Sequence, residues 1–424
     1  MTFINLVSII SFFMILQSLW HLVRTSYVVK KVNKQSMLKS EEGKNKNGEE
    51  VDFFFVIPCF EEKNTIESTI DYFVELIKKS SSNIKLIIVT TNKEIGNRTT
   101  YDVVKKKISS SNVYSNTELI NYPKNKGMMA DQLNYAMENI QELYNFNKNK
   151  TYFCVYNADS RPGSEIILEA EKKVHNDQFP KIMQEYSAFL TNLYSLSPIM
   201  KGMAVYQTNF ELTNGFTNAV LPSVLLRNHV VGHGLFIRYD FLEKLGGFTN
   251  KYWCEDIYLS FILRSTKVKI VPLYSLEYGE APKNLRVLTK QNANWFKTLS
   301  DTYLIYKDIK KGEKYNSNST RLYLANQIRG AIAWLILPTI YIGILCSALL
   351  KREYVCFIVF LAIYFVTTSI RFLMTLRIVE CLSKTKLKNK LLLSFEASVA
   401  YFISNIGPLY SLMNKKATKY KTER

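Results

Sequence analysis

The stretch VGHGLFIRYDFLEKLGGFTNKYWCEDIYLSFILR (231–264) predicts two tight turns followed by a helix that begins with two carboxylates. Its Gly-His-Gly turn (232–234) lets the backbone approach a ligand closely, and the glycine pair at 246–247 ends a short helix so that the chain doubles back. Glu255 and Asp256 then fall at a helix N-terminus, where the macrodipole favours negative charge. Such a carboxylate either caps the helix or accepts a proton from an attacking hydroxyl.

Upstream of this stretch, short apolar runs alternate with helical patterns. The run FFFVIP (53–58) is typical of a buried parallel strand, and the segment that follows it (64–79) has apolar residues at helical spacing. The runs IKLIIVT (84–90) and TYFCVY (151–156) continue the alternation. We therefore expect an α/β domain with a doubly wound sheet, which binds ligands at the carboxyl ends of its strands.

Asn157 and Asp159 stand directly after the last of these runs and before a Pro-Gly turn (162–163). Hard divalent cations need oxygen ligands. A carboxylate that faces the crevice can supply one ligand while the oxygens of a diphosphate supply others. The alternative is that Asp159 only caps the turn.

In their order along the chain, these features resemble the motifs of the family 2 glycosyltransferases. These are inverting enzymes of GT-A fold (doubly wound, Rossmann-like) that include membrane polysaccharide synthases. The turn PCFEE (58–62) is similar to the family's Pro-x-x-Asn-Glu turn, and KGMMADQLN (126–134) is similar to its Gly-Lys-x-x-Ala-Leu-Asn helix. NAD (157–159) resembles the Asp-x-Asp metal motif, and QNANW (291–295) resembles the Gln-x-x-Arg-Trp motif. The acidic pair at 255–256 resembles the family's Glu-Asp pair.

The resemblance implies a role for each matching residue. Asp256 would be the catalytic base of a sugar transfer, and Asp159 with Asn157 would hold Mg²⁺ or Mn²⁺. The donor, a nucleotide-diphosphate sugar with UDP-sugars as candidates, would be bound by Pro58, Glu62, Lys126 and Asp159. The acceptor, a carbohydrate or lipid-linked molecule, would be bound by Gly232, His233, Gly234, Glu255, Gln291 and Trp295. His233 has a second interpretation as a metal ligand.

The chain also departs from the family. Thr90, Thr91 and Asn92 stand where the family has an Asp that holds the base, and Asn294 replaces the Arg of the Gln-x-x-Arg-Trp motif. Loss of that Arg removes a fixed cationic fork for phosphate oxygens. Two other classes therefore stay open, a non-catalytic partner of a polysaccharide synthase complex and a basic membrane adaptor that binds acidic ligands.

The 424 residues carry 55 Lys and Arg against 36 Asp and Glu, a formal net charge of +19. This balance suits anionic lipid or a nucleotide diphosphate better than nucleic acid, because the basic residues gather at the ends of apolar stretches and no nucleic-acid-binding motif is present. The six Cys are scattered without metal-ligand spacing, which indicates reduced, structural cysteine.

Apolar stretches at both ends of the chain predict membrane helices. Residues 3–23 are long enough to cross a hydrocarbon core and are followed by basic residues, which indicates a signal anchor; a cleaved signal peptide is the alternative, but no A-x-A-like site follows. Residues 328–350 and 354–376 predict a helical hairpin with a minimal turn. The stretch 391–413 contains Glu, Asn and Pro, and predicts an interfacial or re-entrant helix.

We thus expect a multi-pass protein of the cell membrane whose catalytic domain and tail both face the cytosol, because the segments after residues 23 and 413 are rich in Lys and Arg. Other polysaccharide-assembly proteins are candidate partners. The predicted organisation is an N-terminal anchor (1–25), a polar linker (26–51), the GT-A domain (52–300), an interfacial segment (301–327), C-terminal membrane helices (328–413) and a basic cytosolic tail (414–424).

Overall fold

The computed structural model describes residues 3–41, 51–80, 82–221, 229–312 and 317–414. The strands are β1 (Asp52–Pro58), β2 (Asn83–Thr91), β3 (Thr117–Tyr122), β4 (Thr151–Val155), β5 (Ile182–Ala188), β6 (Leu235–Arg238) and β7 (Ile270–Tyr278). The helices of the first half are α1 (Phe3–Glu41), α2 (Ile66–Ile77), α3 (Thr100–Ile108), α4 (Met129–Leu143), α5 (Ile166–Asn176), α6 (Pro198–Asn209), a π-helix (Phe210–Phe216) and α7 (Thr217–Val220). The others are α8 (Tyr239–Leu245), α9 (Glu255–Ser265), α10 (Leu285–Lys310), α11 (Ser317–Leu350), α12 (Tyr354–Ser383), α13 (Lys390–Tyr401) and α14 (Ile406–Met413).

The strands form one sheet in the order β3-β2-β1-β4-β6-β5-β7, which confirms the predicted α/β class. The sheet is mixed, because β6 runs antiparallel to both β4 and β5 while the other pairings are parallel. After β5 the chain passes through α6, the π-helix and α7. Strand β6 then begins at the same end of the sheet at which β5 ended, and therefore runs in the opposite direction. The sequence pattern did not reveal this return.

Strand β1 shows why the central strands are apolar throughout. Successive side chains of a strand point to opposite faces. Phe53 and Phe55 pack into the core under α2 and α5, whereas Phe54 and Val56 pack into the core under α4 and α8. Since helices cover both faces of the sheet, each side chain of the run has an apolar partner.

Helix α1 is longer than the predicted anchor. It continues from Phe3 to Glu41, so the predicted linker (26–51) is helical in its first part, and residues 42–50 lie outside the described residues. Val28 and Val32 are buried in the core cluster that α1 shares with α12. The apolar face therefore extends past the basic residues that appeared to end it.

Three described helices are long and apolar enough to cross a membrane, at Phe3–Lys34, Asn318–Leu350 and Tyr354–Ser383. The last two are separated only by residues 351–353, as the hairpin prediction requires. The second begins at Asn318, nearly three helical turns earlier in the chain than the predicted start at 328, and so inside the predicted interfacial segment (301–327).

The stretch 391–413 is divided between α13, of 12 residues, and α14, of 8 residues. Each is shorter than the roughly 20 residues that a spanning helix needs. Helix α13 packs closely on α6, since a Cβ on Gly202 would lie 2.3 Å from the carbonyl oxygen of Glu396. Helix α14 packs on α10 in the same manner at Gly407. The predicted basic tail lies outside the described residues from residue 415 onward.

Candidate active site

The carboxyl ends of β1, β2, β3 and β4 lie at one edge of the sheet, because these strands are parallel, and this edge is where such sheets have their ligand-binding crevice. Asn157 and Asp159 follow β4 at this edge, and Asp159 is 9% exposed. Two backbone hydrogen bonds between Arg161 and Tyr278 tie the loop to the end of β7. The predicted metal-binding residues thus stand at the crevice on a loop that is fixed at both ends.

The Gly-His-Gly turn lies next to this loop and is fixed by Gln184 of β5. The Gln184 Nε2 donates to the carbonyl oxygen of His233 (2.7 Å), and its Oε1 accepts from the backbone N–H of Val231 (3.0 Å). Gly234 has a φ of +60°, and a Cβ there would lie 2.4 Å from the Glu185 carbonyl oxygen. Glycine is therefore required at position 234 for both conformation and space.

The acidic pair at the start of α9 faces the same turn. A Cβ on Gly232 would lie 3.1 Å from Glu255 Oε1 and 3.8 Å from Asp256 Oδ2. Glu255 is 8% exposed, and Asp256 Oδ1 accepts from the backbone N–H of Ile257 (2.7 Å). The structure thus brings both predicted carboxylates against the glycine turn, with their orientation set by the first turn of a helix.

Replacing Gly232 with alanine should lower sugar transfer without unfolding the protein, because the added methyl group pushes the Glu255 carboxylate away from its position against the turn. The added Cβ would lie 3.1 Å from Glu255 Oε1, so the carboxylate has to move by a few tenths of an ångström. Because a misplacement of about 1 Å can reduce an enzymatic rate by about 10²-fold, we expect a decrease of less than about 10²-fold. Initial transfer rates and circular dichroism of the two proteins check this. Gly343→Ala is a matched control, since a Cβ there meets nothing within 4 Å. Equal rates for Gly232→Ala and the parent would contradict the placement of the pair.

His233 pairs with the buried carboxylate of Glu277, which the sequence did not predict as part of the site. Its Nδ1 lies 2.8 Å from Glu277 Oε2, and the Ser187 hydroxyl donates to the same oxygen (2.9 Å). The Ser160 hydroxyl donates to the other oxygen of Glu277. Burial alone lowers the pKa of His233, but the charge and hydrogen bond of Glu277, with weaker help from Asp159, raise it to about 9. The imidazole is therefore oriented and kept positively charged near the Asp159 carboxylate.

A second buried glutamate, Glu185 of β5, lies beneath this pair. Its carboxylate accepts from the Tyr156 hydroxyl (2.7 Å) and from the backbone N–H of Gly163 (3.1 Å). Burial, and after it the charge of the nearby Glu277, raises the pKa of Glu185 to about 8. The only sequence signal for these two residues is a glutamate inside a strand that is otherwise uncharged, in MQEYSA and LYSLEY.

This buried network predicts that the protein loses stability as the pH rises. Glu185 has a folded pKa above its usual 4.5, so its contribution is fully present below 4.5 and is lost as the pH rises through about 8. His233, with a pKa raised from 6.5, acts in the same direction through about pH 9. The apparent melting temperature of the parent should fall between about pH 5 and about pH 9. Glu185→Gln should flatten that fall, and an unchanged profile would show that Glu185 is ionised in the folded protein.

The predicted donor-binding residues lie at and after the ends of β1 to β3. Pro58 ends β1, and the backbone N–H of Glu62 donates to the Thr100 hydroxyl (2.8 Å), which fixes the turn. The Asn92 amide donates to the Pro123 carbonyl oxygen (2.9 Å) and so joins the ends of β2 and β3. The Lys126 side chain is exposed on the loop before α4, and it has no ion-pair partner among the described residues.

The predicted acceptor residues of α10 lie on the other side, near the end of β5. Gln291 Oε1 accepts from Gln207 Nε2 (2.9 Å), and the Trp295 ring, 40% exposed, lies 6.4 Å from the Phe189 ring. The carbonyl oxygen of Asn294 accepts from the indole of Trp253 (3.2 Å), which is two residues before the acidic pair. Helix α10 is thus joined directly to the segment that positions Asp256.

The donor set fits a divalent cation that is shared with a substrate. The described residues hold no group of three or more His, Cys, Asp or Glu side chains that could bind a metal ion by themselves. Mg²⁺ is commonly held by one or two carboxylates together with substrate phosphates and water. The Asp159 carboxylate and the Asn157 amide oxygen supply the protein's part of such a set, and the diphosphate of a donor would supply the rest.

No protein-family model matches the chain, and no curated protein matches it. Among solved structures, the chain is similar to a mannosyltransferase from Pyrobaculum calidifontis in complex with GDP-Man and Mn²⁺. The two sequences are 12% identical, the match covers 89% of this chain and 99% of that one, and the TM-score is 0.49. It is similar to S. aureus TarS 1-349 with UDP-GlcNAc at 11% identity, over 85% and 92% of the two chains (TM-score 0.40). A third similar structure is glucosyl-3-phosphoglycerate synthase from Mycobacterium tuberculosis in complex with Mg²⁺ and UDP. It is 13% identical, and the match covers 58% of this chain and 79% of that one (TM-score 0.35). These three scores are below 0.5, so a function for this chain has to rest on its own residues.

Proposed function

We propose that the protein is a membrane glycosyltransferase that moves a sugar from a nucleotide-diphosphate donor to an acceptor hydroxyl with inversion, during assembly of a cell-surface polysaccharide or glycolipid. One observation carries the proposal. The Gly-His-Gly turn has the acidic pair of α9 against Gly232 and the Asp159 carboxylate within electrostatic range of His233. One turn therefore has a candidate base beside its first glycine and a candidate metal ligand within electrostatic range of its histidine.

The residues divide the chemistry between them. Asp256 accepts the proton of the acceptor hydroxyl as that oxygen attacks the anomeric carbon. Asp159 and Asn157 would hold a divalent cation, which would supply positive charge to neutralise the leaving diphosphate. Glu62, Pro58 and Lys126 border the donor at the strand ends. Attack from the face opposite the leaving group inverts the anomeric centre.

The acceptor side is formed by the glycine turn, Glu255 and α10. The exposed Trp295 ring offers an aromatic face on which a sugar can stack. Gln291, whose amide oxygen is already held by Gln207, is oriented by that bond. His233 carries a positive charge next to the donor phosphates and the acceptor.

A nucleotide-release assay on the purified full chain tests this proposal. A panel of nucleotide sugars that includes GDP-Man and UDP-GlcNAc is supplied with Mg²⁺ or Mn²⁺, with and without chelator. We expect one donor to release its nucleotide in a metal-dependent manner. A folded chain that releases none from any donor, and binds none, would instead be a non-catalytic partner of a synthase complex.

We further propose that the catalytic domain and residue 414 face the cytosol. One crossing before the domain and two after it return the chain to the same side. The carboxyl end of α12 is next to the domain, where Lys384 pairs with Glu165 (3.1 Å). The positive charge beyond residue 23 favours the cytosolic side.

Labelling of introduced cysteines in intact cells tests this topology. An impermeant maleimide should label Arg352→Cys, in the turn between α11 and α12, from outside the cell. Lys78→Cys, exposed at the end of α2, should be labelled only after permeabilisation. The parent with its six Cys gives the background. Labelling of Lys78→Cys from outside intact cells would show that the catalytic domain faces the outside and would contradict the proposed topology.

A further inference from the structure

Two arginines lie where the membrane helices meet the catalytic domain, Arg24 on α1 and Arg371 on α12. Arg24 is 8% exposed and Arg371 is half-buried. Neither has a carboxylate partner among the residues that the structure describes. A buried charge without a counter-charge is costly, and an ionisable residue inside a membrane segment commonly marks a binding site.

Both guanidinium groups bind the helical segment from Asn209 to Asn218, which contains the π-helix. Arg24 donates to the Thr213 carbonyl oxygen (3.4 Å) and to the Asn218 amide oxygen. Arg371 donates to the Asn209 amide oxygen through Nη2 (2.9 Å), while the Asn209 amide nitrogen donates to the Thr213 hydroxyl (3.1 Å). All these partners are neutral, so they orient the two cations without neutralising them.

Arg24 also has unused hydrogen-bonding capacity, because its Nε–H is buried and has no acceptor in the described part of the chain. His21, one turn earlier on α1, lies within electrostatic range of both guanidinium groups. The cluster of His21, Arg24 and Arg371 is therefore a concentration of donors and positive charge that lacks an anion.

The depth of this cluster in the membrane follows from the helix geometry. Helices α1 and α12 run side by side in the same direction, since Ser18 Oγ donates to the Thr367 carbonyl oxygen (3.4 Å) and Lys351 Nζ lies 4.8 Å from the Phe3 ring. At 1.5 Å per residue, Arg24 lies about 31 Å from Phe3 along α1, which is about the thickness of a hydrocarbon core. The cluster is then level with the lipid phosphates on the side of the catalytic domain.

The π-helix connects this cluster to the crevice. Asn209 and Thr213 face the arginines, whereas Glu211 of the same helix acts electrostatically on His233. The same helical segment therefore contacts the arginines and carries the Glu211 carboxylate that acts on His233 of the Gly-His-Gly turn.

We propose that His21, Arg24 and Arg371 bind the phosphate of a lipid, and that this lipid is the anchor of the acceptor. Guanidinium groups bind phosphate through charge-assisted, often bidentate hydrogen bonds, which supply the counter-charge that the cluster lacks. The identity of the acceptor rests on the proposed function, but the binding site does not.

Binding of spin-labelled phosphatidic acid to the full chain, in nanodiscs of phosphatidylcholine, tests the site without any donor. We expect the parent to bind phosphatidic acid in preference to labelled phosphatidylcholine and to gain thermal stability from it. Arg371→Gln should bind roughly tenfold more weakly and lose that gain. Without phosphatidic acid, its melting temperature should stay at or above that of the parent, since an uncompensated charge has been removed. His21→Gln is the second variant, and it should also bind phosphatidic acid more weakly.

Arg377→Gln is the matched control, because Arg377 lies on the same helix, is 55% exposed and pairs with Glu380 (3.6 Å). If Arg377→Gln weakens phosphatidic acid binding as much as Arg371→Gln does, the binding depends on general surface charge, and the proposed site is wrong. Equal binding of the two lipids by the parent would overturn it as well. Competition by inorganic phosphate at the same concentration would show a site for free phosphate and overturn the lipid assignment. If lipid binding is confirmed while no sugar is transferred, only the proposed function fails.

Discussion

Replacing Asp256 with asparagine should lower the rate of sugar transfer by about 10²-fold to 10⁴-fold, which is the contribution of general-base catalysis. The amide keeps the shape and the hydrogen bond from the Ile257 N–H, but it cannot take the proton of the acceptor hydroxyl. The affinity for the donor should be nearly unchanged, because the donor residues come from the ends of β1 to β4. Initial rates and donor titrations measure the two quantities separately.

Two further variants make this test specific. Glu255→Gln should have a milder effect, because its carboxylate shapes the turn beside Gly232. Glu243→Gln, which removes an exposed carboxylate paired with Lys148, should leave transfer at the rate of the parent. If Asp256→Asn transfers normally and Glu255→Gln is inactive, the base is Glu255. If both transfer normally, the base lies elsewhere.

Replacing Asp159 with alanine should abolish donor turnover and weaken the binding of a nucleotide diphosphate in the presence of Mn²⁺. Asp159 is the carboxylate at the end of β4, and its loss leaves one protein oxygen for a hard cation. Isothermal titration with the nucleotide diphosphate, with and without Mn²⁺, measures this dependence. Asn157→Asp should stay active, because either side chain offers an oxygen.

Asp177→Ala is the control for this experiment, since it removes an exposed carboxylate from the end of α5, away from the crevice. It should bind nucleotide with the metal dependence of the parent. The same metal dependence in Asp159→Ala would show that Asp159 is not a ligand.

Local patterns predicted the elements that depend on near neighbours in sequence. The run FFFVIP became a strand with both faces buried, the glycines at 246–247 ended α8 with a left-handed Gly246, and the acidic pair began α9. These features follow from spacing, backbone freedom and helix capping, which a sequence displays directly.

Features that depend on distant parts of the chain could not be predicted in this way. The direction of β6 follows from where the chain returns after α7, and the buried Glu277 is meaningful only because β7 passes beneath His233. A polar residue in a strand carries no sign of the partner it will meet. Arg24 and Arg371 are far apart in sequence, and only the packing of α1 and α12 on the π-helix and its neighbours brings them to one helical segment.

Mass spectrometry of the product tests the central claim most directly. The parent and Asp256→Asn are incubated in matched amounts with the donor selected by nucleotide release, Mn²⁺ and a panel of carbohydrate and lipid-linked acceptors. We expect the parent to increase the mass of one acceptor by a sugar residue, and the variant to form that product at least about 10²-fold more slowly. An equal rate of product formation by both proteins, or a folded parent that consumes donor without modifying any acceptor, would contradict the account.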